Sequence, residues 1–271
     1  RDLIVTGVQT CALPICLMLL PRVIPILLLS GRGLVKGEGF KKHRYVGDPI
    51  NAVKIFDAKE VDELIILDID ATRENRIPPL ELVQKVADQC LMPFGVGGGI
   101  RSLADARRIL SAGAEKVCLN TAALENPALV TELADNFGSQ SVVVSLDVKK
   151  RLLGGVEVCT RCATKGVSRD PVETARRMEA AGAGEIMVHS VDRDGKMAGY
   201  DLALVRSVAE AVDIPVIAAG GAGSPEDLRL ALTEGKASAA AAGALFVFHG
   251  RRRAVLISYP SKEELAGIRG A

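Results

Sequence analysis

The feature that most constrains this chain is that it repeats itself. "VDELIILDID" (Val61–Asp70) aligns with "AGEIMVHSVD" (Ala183–Asp192): Glu63 matches Glu185 and Asp70 matches Asp192, 122 residues apart in each case. "GGGIRSLADARRILSAGA" aligns with "AGGAGSPEDLRLALTEGK" at the same offset, matching Gly98 to Gly220, Gly99 to Gly221, Ser102 to Ser224, Asp105 to Asp227 and Gly113 to Gly235. One offset held across two separate blocks reads as a duplicated half-domain.

The repeat unit alternates. Short β-rich runs, "RVIPILL", "ELIILDID", "PFGVGG", "KVCLN", "SVVVSLDV", "EIMVHSVD", "PVIAAGG" and "SAAAAG", are separated by amphipathic stretches such as "DPVETARRMEAAGA", each closed by a glycine. Eight such units predict an α/β fold, a (β/α)8 TIM barrel made of two half-barrels of four units each. An open doubly wound sheet is the alternative.

Composition narrows the function classes. A net charge of +1, 3% aromatic residues and no Trp argue against nucleic acid or an acidic membrane surface as partner. The most apolar run, Cys11–Leu29, is broken by three prolines and an arginine, which makes a poor membrane helix. Six scattered cysteines suggest a reducing cytoplasm, and the single "CTRC" at Cys159 and Cys162 is a weak zinc signal, so no metal is assigned. The first 17 residues, "RDLIVTGVQTCALPICL", fit nothing that follows and read as a translated adapter, with Met18 the expected start of a single barrel domain over 18–271.

In such barrels the working residues stand where strands end. Two Gly-rich turns open helices at symmetry-related positions, Gly98–Gly99 and Gly220–Gly221, with Ser102 and Ser224 as helix caps; bare backbone N–H groups there can cradle two phosphates of one long ligand, although tight turns alone would look the same. Asn120 and Gly243 would complete the pockets. Asp147, late in "VVVSLDV", is the candidate acid or base, unless it only caps the next turn. Asp194 could bind a ligand hydroxyl or amide, His189 lies just before it, and Lys36 could reach over the mouth or remain a solvated loop cation. At the other strand ends Arg22, Glu63, Lys116 and Glu185 would meet as a charged ring across the floor, a costly arrangement unless it serves something.

Together these residues resemble the cyclase subunit of imidazole glycerol phosphate synthase, with "GGGIRS", "LNTAA", "ENPAL", "FGSQSVVVSLDVKK", "DRDG", "GYDL" and "IPVIAAGGAG" in family order. The resemblance implies a phosphorylated substrate, no cofactor, and a glutaminase partner at the floor whose ammonia passes a charged gate, here Arg22, Glu63, Lys116 and Glu185, and travels up the barrel. It also implies two catalytic aspartates. Asp147 matches one; Leu28 stands where the other should be. Cys162 and Ala163 replace a glycine pair, and His189 replaces a small hydroxyl residue. "IPILLLSGRGLVK", "HRYVGDPINAVKIF" and "LFVFHGRRRAVLISYPS" further resemble the paralogues found with surface-polysaccharide genes, which implies ammonia supply to a separate ATP-dependent amidotransferase that amidates a sugar. A histidine-pathway cyclase and a non-catalytic phosphate-binding scaffold are the alternatives.

Overall fold

The computed structural model describes residues 20–151, 154–250 and 252–270; the adapter-like leader and Met18 lie outside them. Eight parallel strands form the core: β1 (Arg22–Ser30), β2 (Leu64–Asp68), β3 (Phe94–Gly97), β4 (Lys116–Leu119), β5 (Val142–Lys150), β6 (Glu185–Ser190), β7 (Val216–Ala219) and β8 (Ala239–Ala242). Each pairs with the next, and β8 pairs back onto β1 through Arg22↔Ala239 to Pro25↔Ala242. The sheet is therefore closed. This is the eightfold barrel, and the open doubly wound sheet is excluded.

The strands are apolar on both sides because each face is covered. Val23, Leu27, Leu29, Ile66, Val96 and Val117 point outward under the helices, while Ile24, Ile26, Leu28, Ile65, Cys118, Val143, Met187 and Ile217 fill the interior. Small residues on β3 and β8, Gly95, Ala239 and Ala241, make room for the larger side chains opposite.

The helices begin where the sequence places caps. Ser102 Oγ accepts from the Asp105 N–H ahead of the helix Leu103–Ser111. Ser224 and Asp227 form a reciprocal capping box ahead of Pro225–Thr233, and Asp170 caps Pro171–Ala180. Each cap satisfies an otherwise unpaired helix N–H, an effect of about 1 kcal/mol.

Strand registers make the duplication concrete. Leu28 pairs with Leu67 across β1 and β2, and Asp147 pairs with His189 across β5 and β6. Leu67 and His189 stand 122 residues apart, the repeat offset read from the sequence, so Leu28 and Asp147 occupy equivalent positions. The repeat-matched aspartates also act alike: Asp70 Oδ2 accepts from Ser30 Oγ (2.6 Å) and the Gly31 N–H (3.3 Å) beyond β1, and Asp192 accepts from the Lys150 N–H at the end of β5.

Strands β1 and β5 run nine residues each and extend past the barrel rim into antiparallel hairpins, Gly33–Glu38 with Lys41–Gly47 and Val156–Thr160 with Lys165–Ser168. The sequence reads these segments as polar loops. Among the described residues no helix is long and apolar enough to cross a membrane, no His/Cys/Asp/Glu group has metal-binding geometry, and Cys90, Cys118, Cys159 and Cys162 are free thiols.

Candidate active site at the barrel mouth, with a charged ring at the floor

The floor brings the four predicted charges into one closed ring. Arg22 donates to Glu63 and, through Nη2, to Glu185 Oε2 at 2.8 Å; Lys116 Nζ bridges Glu63 Oε1 at 2.8 Å and Glu185 Oε1 at 2.7 Å. The Glu63 side chain is 2% exposed and that of Lys116 15%. Burial alone would push the Glu185 carboxyl up, but Arg22 and Lys116 outweigh it and hold it below the usual glutamate range. For Arg22, burial opposes the charge and the two glutamates restore it, leaving the guanidinium above its ordinary value. Directly above lie Ile24, Ile65, Cys118, Val143 and Met187, and burial beside Glu63 pushes the Cys118 thiol well up. A neighbouring brace was not foreseen: Asp62 Oδ2 accepts from the Val23 N–H at 2.8 Å and pairs with Arg269 of the last helix.

At the opposite end Asp147, His189, Asp194 and Lys36 form one cluster. Asp147 is 8% exposed, and its Oδ1 accepts from Ser145 Oγ at 3.1 Å. Desolvation raises its carboxyl to about 6, against the lowering influence of His189 and Ser145. His189 is 5% exposed, with Nδ1 4.0 Å from Asp147 Oδ1 and Nε2 3.5 Å from Asp194 Oδ1. Asp194 Oδ1 also takes a 2.8 Å hydrogen bond from Lys36 Nζ. Burial would raise the Asp194 carboxyl, but Lys36 and His189 drive it far below the usual range. The positions equivalent to Asp147, His189 and Asp194 in the first half-barrel hold Leu28, Leu67 and Thr72.

Lys36 is neither flexible nor solvated: it lies in a hairpin strand, 5% exposed, because Asp194 compensates its charge. Asp194 is engaged by Lys36 through Oδ1.

Lys36, His189 and Asp194 line one pocket with Leu28, Gly221 and Gly243. In the first half the corresponding turn and its neighbours make contacts within the chain. The Gly99 N–H donates to Thr72 Oγ1 at 3.2 Å, the Asn120 amide donates to the carbonyls of Ser145 and Cys159, and the Arg161 N–H donates to Thr121 Oγ1. Asn120 thus ties the second hairpin to β5 through its side-chain amide.

The glycines of these turns are required by packing. Gly98 and Gly99 have φ of +117° and +66°, and a Cβ on Gly99 would stand 1.8 Å from the Arg76 carbonyl oxygen. A Cβ on Gly220 would press within 2.8 Å of His189 Cδ2, one on Gly221 within 2.2 Å of the Gly199 carbonyl oxygen, and one on Gly243 within 3.1 Å of Lys36 Nζ. Gly99→Ala should therefore destabilise the fold by about 2–4 kcal/mol in urea unfolding, through strain and backbone overlap. Unchanged stability would show that the turn can relax and that a side chain at this position clashes only with a ligand.

The sequence did not reveal Ser145, Thr72, Phe40 or the Asp68–Arg76 pair, in which Arg76 holds a fully buried Asp68 carboxylate at the end of β2. Asp68 and Arg76 are eight residues apart with no motif to connect them.

A sequence profile of the family described as "Histidine biosynthesis protein" matches residues 22–251. The "Putative imidazole glycerol phosphate synthase subunit hisF2" of Pseudomonas aeruginosa is 54% identical over 244 residues, covering 90% of this chain and 97% of that protein. The "Putative imidazole glycerol phosphate synthase subunit hisF3" of Vibrio vulnificus is 48% identical over 248 residues, covering 91% of this chain and 95% of that protein. A relative from Leptospira interrogans, whose name ends in "subunit HisF", is 44% identical over 248 residues, covering 91% and 98%.

Proposed function

The chain belongs to the histidine biosynthesis protein family as a HisF-type subunit, and we propose that it receives ammonia from a glutaminase docked at the barrel floor and delivers it at the mouth for amidation of a surface-polysaccharide sugar by a separate ATP-dependent amidotransferase. The observation that carries this reading is the pairing of a complete charged ring at the floor with a leucine at the repeat-equivalent position of Asp147. A ring of four mutually satisfied charges can part for a small neutral molecule and close again, and the apolar layer above it excludes ions. With Leu28 at the position equivalent to Asp147, no second aspartate faces a long substrate from that strand end. The gate roles of Arg22, Glu63, Lys116 and Glu185 and the phosphate-binding roles of the paired Gly turns, Asn120, Gly243 and Lys36 belong to this proposal. So does a single barrel domain.

The second reading is a histidine-pathway cyclase that converts a bis-phosphorylated ribulosyl precursor and ammonia into imidazole glycerol phosphate and aminoimidazole carboxamide ribotide. It is favoured by Asp147, whose carboxyl at about 6 is suited to acid–base work near neutrality.

The test is reconstitution with a purified HisH-type glutaminase. The two proteins should co-elute at micromolar concentration, and glutamine hydrolysis should be stimulated at least tenfold, an effect reduced by Glu63→Ala. Absence of both complex and stimulation would refute ammonia reception at the floor.

A further inference from the structure

His189 stands between two buried carboxylates, and no role has yet been given to it. Its ring is fixed from four directions. Asp147 on β5 lies 4.0 Å from Nδ1, Asp194 in the loop after β6 lies 3.5 Å from Nε2, Phe40 of the first hairpin meets the ring edge-on at 5.0 Å between centroids, and Gly220 on the β7 turn leaves space only because it has no Cβ. Lys36 is bonded to Asp194 and so holds that carboxylate in place, and His43, Asp70 and Arg73 are the other titratable or charged groups within electrostatic range. On the far side of Asp147 are Ser145 and the thiols of Cys159 and Cys162. The cluster therefore reads Asp147, His189, Asp194, Lys36 in sequence across the mouth.

We propose that His189 is the proton-transfer partner of Asp147, the two forming one acid–base unit inside the second half-barrel, with Asp194 and Phe40 as positioning residues. The step it serves is the one the second reading implies, addition of ammonia to a carbonyl carbon of a ligand seated in the adjoining pocket, and the proposal rests on that reading; what it adds is the residue that carries the proton. As the ammonia lone pair forms the C–N bond, the carbonyl π pair moves onto oxygen and the nitrogen becomes cationic. The Asp147 carboxylate takes one N–H proton, passes it to His189 Nδ1, and the imidazolium, its other N–H facing Asp194, returns it to the new alkoxide. The product is a neutral carbinolamine. No oxidant or reductant is consumed.

An imidazole with a carboxylate at each nitrogen suits this exchange, since both of its N–H bonds face an anion when it is charged. The 4.0 Å separation from Asp147 is longer than a hydrogen bond, as catalytic contacts in ligand-free sites often are. The first half-barrel offers nothing comparable, with Leu28, Leu67 and Thr72 at the same three positions. Acid and base thus sit on one side of the mouth, which suits a single addition better than a reaction needing groups on opposite sides.

The experiment uses the whole chain, in two measurements. The first follows the Asp147 carboxyl by carbon-13 NMR in the wild type and in His189→Gln. Wild-type Asp147 should titrate near 6, and removing the imidazole should raise its proton affinity about tenfold, because the lowering influence of His189 on the carboxyl is lost. Folding of the variant is checked by circular dichroism and urea unfolding. An Asp147 titration that does not move would overturn the pairing. The second measures ammonium-dependent turnover of the bis-phosphorylated precursor in Leu28→Asp protein with and without His189→Gln. The added substitution should lower kcat at least tenfold, leave KM within about twofold and remove one limb of the pH profile; equal kcat values and unchanged profiles would also overturn it. Neither measurement involves a glutaminase, so failure here leaves ammonia reception at the floor standing, and failure of the glutaminase complex leaves the acid–base unit standing.

Discussion

Lys116→Ala should be among the most destabilising single substitutions in this protein, by about 3–5 kcal/mol at pH 7, because it leaves two buried carboxylates with one cation, Arg22, between them. Lys116 Nζ bridges Glu63 Oε1 and Glu185 Oε1 in the floor ring, and Arg22 is bonded to Glu63 Oε2 and to both oxygens of Glu185. Without Lys116 the two glutamates would face each other in a largely dry layer capped by Ile24, Ile65 and Met187. By contrast, the exposed pair Lys262–Glu60 closes a comparable distance in water, and Lys262→Ala should produce no measurable change. The pH dependence separates charge from packing. Glu185 has a folded-state proton affinity below its unfolded value, so its ion pairing stabilises the fold above the ordinary glutamate range near 4.5 and is lost as pH falls through the depressed folded value. Removing Lys116 raises that folded value toward, or past, the ordinary one. The gap between wild type and variant in urea unfolding should therefore be widest at pH 7 and narrow below pH 4.5. A gap independent of pH would mean that the lysine stem, not its charge, does the stabilising.

The features that the sequence made legible are those generated by repetition and by local rules. An offset of 122 residues requires two equal halves, and a chain that alternates short β-branched runs with capped amphipathic helices has few ways other than a closed barrel to bury both faces of its strands. The floor ring was legible for the same reason: each charge is the first inward-facing residue of a strand or stands next to it, and parallel strands in register bring their first residues to one level. The mouth was only half legible. Asp147 lies on a strand, so its direction follows from alternation. Lys36, by contrast, is carried on a hairpin that reads as a Gly-rich loop, "GLVKGEGF", and its burial depends on Asp194, 158 residues later. Asn120 was correctly placed at a strand end, but the bonds that occupy it come from the carbonyl of Cys159 on the other hairpin. Interactions between two irregular segments leave no periodic trace in either one, and the mouth is built from such interactions.

Leu28→Asp should raise ammonium-dependent cyclase turnover by roughly 10²–10⁴-fold, the usual contribution of one positioned acid–base group. The reason is geometric. Leu28 and Asp147 are repeat-equivalent, each pairing across to the matching residue of the next strand, so the new carboxylate would enter the mouth from the half that now lacks one. Leu28 is 6% exposed and packs with Ile26, Val35 and Leu67 on the wall of the pocket that holds Lys36. Desolvation there would raise the proton affinity of the new group, as it does for Asp147, and make it an acid near neutral pH. The same burial should cost about 2–4 kcal/mol of stability, so unfolding must be measured beside turnover. Leu28→Asn is the control, because it carries a similar polar burden but cannot give up a proton. A gain seen with Asp and not with Asn would place the lost chemistry at this one position and favour the amidation role for the native chain. Equal gains with both would mean that Leu28 only blocks the mouth. A wild type that already turns over freely, with no gain on substitution, would return the protein to histidine biosynthesis and show that an acid–base unit in one half-barrel is enough for ring closure.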